Sequence, residues 1–100
     1  MTDRQIISWI FYAVAMASQE KPADTKGISV IADGINHAVP TQKELNLAIA
    51  WLLKEQLIKE EGKKYSLTKK GHINYNFAQL HTTTVSDVWK NLQLQLKNIG

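Results

Sequence analysis

The chain has 100 residues, 44% of them apolar and 21% charged, the balance of one small globular domain with a core. It contains no cysteine, which excludes disulfides, thiol catalysis and cysteine-ligated metal and suits a reducing cytoplasm. The formal net charge of +3 lies in one segment: residues 41–72 hold seven lysines against four glutamates, and the remainder holds five basic and five acidic residues.

Thr2 and Gln5 have the spacing of a helix capping box. Ile6, Ile7, Trp9, Ile10, Phe11, Val14 and Met16 then fall on nearly every side of a helix. The apolar run from Ile6 to Ala17, interrupted by Ser8, is too short to span a bilayer. Asp3 beside Arg4, with no cleavage site after the run, argues against a signal peptide. The expectation is a buried helix over about residues 2–18. Residues 18–27, with Pro22 and Gly27, read as a loop. Ile28, Ile31, Ala32 and Ile35 then follow helical spacing, and this second helix is expected to end near Val39, because Pro40 disfavours helix in the residue before it. Thr41 and Glu44 repeat the capping-box pattern. A third helix follows, with Leu45, Ala48, Ile49, Leu52 and Leu53 on one stripe.

From Leu57 the pattern changes. Leu57–Glu60 and Lys64–Leu67 flank Glu61-Gly62-Lys63 as a hairpin with glycine in its turn, and Tyr65 and Leu67 share a face of the second strand. Thr68 is placed to cap a further helix with Ile73, Phe77 and Leu80 at helical spacing. Over residues 84–99, Val85, Val88, Trp89, Leu92, Leu96 and Ile99 form a last stripe, with Leu94 off it. The fold class is therefore mostly α with a small β-hairpin, in a single domain over residues 1–100.

Two helices joined by a tight turn and followed at once by a hairpin have the order of a winged helix-turn-helix. The stretches ISVIADGINHAVPTQKELNLAIAWLLKEQLI and KEEGKKYSLTKKG resemble the winged-helix family, and Tyr65-Ser66-Leu67-Thr68-Lys69-Lys70-Gly71 looks like the wing end and next helix of bacterial regulators. The resemblance covers residues 25–80 and leaves the helices over about 2–18 and 84–99 as flanks. The chain departs from the family at Gln56, where many relatives have glycine. Glutamine suits a left-handed helix end less well, so an altered exit from the third helix is expected.

The resemblance implies a cytoplasmic transcription regulator that binds double-stranded DNA, with the third helix in the major groove. Turning about 100° per residue from Leu45 at the buried centre puts Lys43, Leu47, Ala50 and Lys54 on the far side. Asn46 lies on one flank, Trp51 on the other, and Gln42 projects from the helix start. Gln42 and Asn46 suit adenine, Lys43 guanine or phosphate, and Leu47 a thymine methyl. The helix start at Thr41 favours a phosphate, and Lys63, Lys64 and Lys69 suit the DNA backbone. The DNA-binding set is thus Thr41, Gln42, Lys43, Asn46, Lys54, Lys63, Lys64 and Lys69. Arg4 is the chain's one arginine, so the commonest bidentate contact to guanine is missing from this face.

The same face supports a second reading, in which Leu47, Ala50 and Trp51 form an apolar cluster that holds a protein partner without DNA. A third possibility is that Trp51 packs beneath the first or last helix. The flanking helices carry more apolar surface than one pairing would bury, which points to a homodimer through Trp9, Val85, Val88, Trp89, Leu92 and Leu96. The alternative is that the two helices cover each other within one chain. His37, His72 and His81 lack the spacing of a metal site. Gly62-Lys63-Lys64 lacks the upstream glycine and following Ser or Thr of a phosphate loop, and no nucleophile has a recognisable base and orienting acid. Neither an enzyme nor a cofactor is expected.

Overall fold

The computed structural model describes the backbone of residues 1–99 and the side chains of residues 1–96. Helix α1 (Asp3–Ala17) begins at the predicted capping box: Gln5 N–H donates to Thr2 Oγ1 at 3.1 Å and Thr2 N–H donates to Gln5 Oε1 at 2.7 Å. Every residue from Ile6 to Ala15 is buried. A helix apolar on all sides needs cover on all sides, and the chain supplies it from four directions. Helices α2 (Thr25–Asn36), α3 (Gln42–Lys54) and α5 (Val85–Ile99) pack around α1, together with strand β2 (Lys64–Leu67).

This arrangement corrects the premise that a second subunit must cover the flanking helices. Trp9 is buried, and its indole N–H donates to the Ala32 carbonyl of α2 at 2.8 Å. Trp89 of α5 lies 6.5 Å from Trp9 between ring centroids, and its N–H donates to Ser8 Oγ at 2.9 Å. The buried Ser8 hydroxyl in turn donates to the Gln5 carbonyl at 3.0 Å, so the residue that interrupts the apolar run is fully bonded. Val88, Leu92 and Leu96 are buried in the same chain, and of the expected dimer residues only Val85 is exposed. The side chain of Ile99, also expected on that stripe, lies outside the described residues.

Helix α2 is capped by Asp24, whose carboxylate accepts from Gly27 N–H at 2.8 Å. It ends at Asn36, earlier than the expected Val39, because His37 turns left-handed (φ 55°) and closes the last turn onto the Asp33 carbonyl. Pro40 is buried in the short connection, and α3 starts at once on the Thr41–Glu44 capping box. Leu45, Ala48, Ile49 and Leu52 face the core, as their spacing predicts. The exit of α3 keeps the geometry that glycine would favour. Gln56 adopts φ 59°, and Leu57 N–H donates to the Leu52 carbonyl at 3.0 Å, closing a Schellman-type end. The expected alteration at this exit is absent, and the departure from glycine is met by local strain instead.

Strand β1 (Ile58–Glu61) pairs antiparallel with β2, Ile58 against Leu67 and Glu61 against Lys64. The first strand thus runs one residue later than Leu57–Glu60, and the turn is Gly62-Lys63. Both turn residues have positive φ, 56° and 63°, which gives a two-residue turn whose twist matches the strands. Ala23, in the region expected to be a loop, forms an isolated bridge with Tyr65. Its N–H donates to the Tyr65 carbonyl at 2.9 Å and its carbonyl accepts from Tyr65 N–H at 2.8 Å.

Helix α4 (Lys69–Ala78) starts where Thr68 Oγ1 accepts from Gly71 N–H at 3.0 Å and donates to the Gln56 carbonyl at 2.6 Å. Gly71 lies so close to the backbone just before β1 that a Cβ there would meet the Leu57 carbonyl oxygen at 2.0 Å. The inward face of α4 is Gly71, Tyr75 and Ala78. Ile73, Phe77 and Leu80, the apolar residues at helical spacing, are exposed. This orientation fits Gly71: only a face without a side chain can approach the Leu57 carbonyl this closely.

Candidate nucleic-acid interface

The outward face of α3 carries Gln42, Lys43, Asn46, Leu47, Ala50 and Lys54, all exposed. Its core-facing stripe sets this orientation, since a helix pinned through Leu45, Ala48, Ile49 and Leu52 has one rotation only. Gln42 Nε2 donates to Asn46 Oδ1 at 2.9 Å, an i,i+4 pair that holds both amides together on the first turns. The pair still offers Gln42 Oε1 as acceptor and Asn46 Nδ2 as donor. Thr41 is differently engaged: its hydroxyl accepts from Glu44 N–H at 3.1 Å and its own N–H donates to Glu44 Oε1 at 2.9 Å. Its role is to cap the helix.

Trp51 is less exposed than Leu47 and Ala50. It is half-buried against the core, and it lines a cavity of about 270 Å3 with Asp3, Arg4 and Ile7 of α1 and Leu96 of α5. Leu47 is 39% exposed. The outward apolar surface of α3 is therefore Leu47 with Ala50, smaller than the cluster of three that their helical positions suggest.

On the hairpin, Lys63 and Lys64 are exposed, as is Lys69 at the start of α4. Lysine at a left-handed turn position is an outlier, since a side chain there is disfavoured. Lys70, part of the same basic segment, is tied down: its ammonium donates to the Glu55 carbonyl at the end of α3 at 3.0 Å, where a cation also complements the helix dipole. The Ala23–Tyr65 bridge adds a group with no linear signal. Lys21 and Lys64 line one groove of about 290 Å3 with Pro22, Ala23, Asp24 and Gly27. Lys21 belongs to the part of the chain where charges balance, so only the bridge brings it to the hairpin.

Tyr65 is a buried residue of the hairpin beside Leu67. Its hydroxyl donates to Glu60 Oε2 across the strands at 2.9 Å, and burial, with the Glu60 carboxylate beside it, pushes its phenol pKa up. Among the described residues no cluster of three or more His, Asp or Glu is arranged to hold a metal ion, and no helix is long and apolar enough to cross a membrane. No family model, curated protein or solved structure matches the chain.

Proposed function

We propose that the chain is a winged helix-turn-helix protein that binds double-stranded DNA and acts as a transcription regulator. α3 is its reading helix and the β1–β2 hairpin its wing. The observation that carries this reading is the outward face of α3, where Gln42, Lys43 and Asn46 stand exposed on the first turns of a helix fixed by its opposite face. The element order and the Ala23–Tyr65 bridge beside the hairpin support it. Lys63 supports it too. A strained, exposed lysine at a hairpin tip has no structural benefit over glycine, and strain of this kind concentrates where a side chain has a task.

In this reading the Gln42–Asn46 pair offers an acceptor and a donor side by side, which matches N6–H and N7 of adenine in the major groove. Lys43 meets guanine or a phosphate. Lys54, Lys63, Lys64 and Lys69 neutralise phosphates, and Lys21 joins them through its groove with Lys64. With Trp51 turned toward α1 and α5, Leu47 and Ala50 remain as a small apolar contact, suited to a thymine methyl and short of the buried aromatic anchor that a protein interface uses.

The test is fluorescence anisotropy with a labelled random-sequence duplex over a series of salt concentrations. Affinity is expected to fall linearly in log–log form, and the double variant Lys63→Ala, Lys64→Ala is expected to flatten the slope by about 2. Absence of binding to any duplex at low salt overturns the reading.

A further inference from the structure

Gln42 and Asn46 stand exposed on the first turns of α3, joined by the 2.9 Å hydrogen bond from Gln42 Nε2 to Asn46 Oδ1. Glu44, the acid of the same turns, is engaged elsewhere, its carboxylate accepting from Thr41 N–H at 2.9 Å. The bond between the amides leaves one carbonyl oxygen, Gln42 Oε1, and one amino group, Asn46 Nδ2, side by side for a third partner. With the roles exchanged, Asn46 donating and Gln42 accepting, the pair again offers one acceptor beside one donor.

Such a pair is selective by its chemistry. In the major groove guanine shows two acceptors, O6 and N7, and cytosine shows a donor at N4. Thymine shows an acceptor at O4 and a methyl group. Adenine alone sets a donor, N6–H, beside an acceptor, N7. One hydrogen on N6 is committed to O4 of the paired thymine, and the other points into the groove beside N7. The carbonyl oxygen of the pair can use only that second hydrogen. A methyl group on N6 takes the same place, since base pairing holds the first hydrogen. It removes the donor, sets an apolar group against the carbonyl oxygen and crowds N7. The oxygen is then shut off from water without a partner, which costs more than the bond that was lost.

We infer that N6-methylation of adenine switches off binding at this face: Gln42 and Asn46 hold an unmodified adenine and reject its N6-methyl form. The inference rests on the reading of α3 as a DNA-binding helix and adds to it a regulation through covalent modification of the DNA. The lysines do not share the sensitivity. Lys63, Lys64 and Lys69 address phosphates, which methylation of the base leaves unchanged, so the discrimination falls to the amide pair.

A duplex enriched by the full chain from a random-sequence pool, prepared once with adenine and once with N6-methyladenine throughout, tests it by fluorescence anisotropy. Methylation is expected to weaken binding by the unaltered protein at least about fivefold, with the salt slope unchanged. The double variant Gln42→Ala, Asn46→Ala places a good helix former at two exposed positions, and far-UV circular dichroism verifies its fold. It is expected to bind both duplexes equally, which separates the amide pair from any effect of the methyl group on the shape of the duplex. Equal binding of the two duplexes by the unaltered protein, or undiminished discrimination by the folded double variant, overturns the inference and leaves the reading of α3 in place. Absence of binding to any duplex at low salt overturns both.

Discussion

Helices α3 and α4 are separated only by the hairpin, and each shows one face to solvent. The face of α3 carries amides and lysines at its start and little apolar area beyond Leu47. The face of α4 carries Ile73 and Phe77, with the exposed Lys69 and Lys70 at its start. Both helices have a spaced apolar stripe, yet the stripe of α3 lies inside and that of α4 lies outside. Spacing shows that a face is apolar. Whether that face is the buried one depends on what else the helix must fit against. On α3 nothing competes with Leu45 and Leu52 for the core. On α4 the closeness of the Leu57 carbonyl, just before β1, admits only Gly71, and Phe77 then faces outward.

The comparison can be broken most severely at Gly71. Gly71→Ala places a Cβ against the Leu57 carbonyl oxygen, and backbone cannot yield as a flexible side chain would. A loss of more than about 3 kcal/mol is expected, read as a fall in Tm of about 12 °C or more. Gly34, on α2, is the matched control: it has nothing within 4 Å of its Cβ position, and Gly34→Ala is expected to stabilise by about 0.5–1 kcal/mol. Equal effects at the two glycines would mean that close approach does not fix the rotation of α4.

A smaller effect sharpens the α3 side. Gln56 holds a left-handed conformation at the exit toward the hairpin, so Gln56→Gly is expected to stabilise by about 1 kcal/mol in chemical denaturation, without changing the salt slope of the proposed DNA binding. A changed slope would show that the exit angle, and not only the lysines, positions the hairpin.

The smallest effect appears only in alkali. Tyr75 on the inward face of α4 and Tyr12 on α1, with rings 6.0 Å apart, and Tyr65 of the hairpin all have phenol pKa values raised above 10.0, chiefly by burial. Their contribution is fully present below the unfolded value near 10. It is lost as pH rises through the higher folded values, because the unfolded chain releases these protons first. Urea midpoints are therefore expected to be flat from pH 7 to about 9 and to fall above 10. Tyr75→Phe is expected to reduce the fall.

What could be read along the chain was local. Thr2, Thr41 and Thr68 bond groups three residues away, and such contacts leave a pattern in the sequence. The α3 stripe, the hairpin and the exposure of Gln42, Lys43 and Asn46 belong to the same class, since a helix with one strong apolar face determines its own outside. The order of helices and the segment that holds the excess charge followed from sequence alone. Only the tertiary structure decided the rest. Ala23 has no strand pattern and pairs with Tyr65 across forty-two positions. Trp51 lines an open pocket with Asp3, Arg4 and Ile7 of α1 and Leu96 of α5. α1 finds its cover within the chain because α2, α3 and α5 all reach it, and α4 exposes its apolar stripe because one carbonyl oxygen of Leu57 leaves room for a hydrogen and not for a methyl group. These outcomes depend on distances between segments far apart in sequence, and periodicity within a segment carries no information about them.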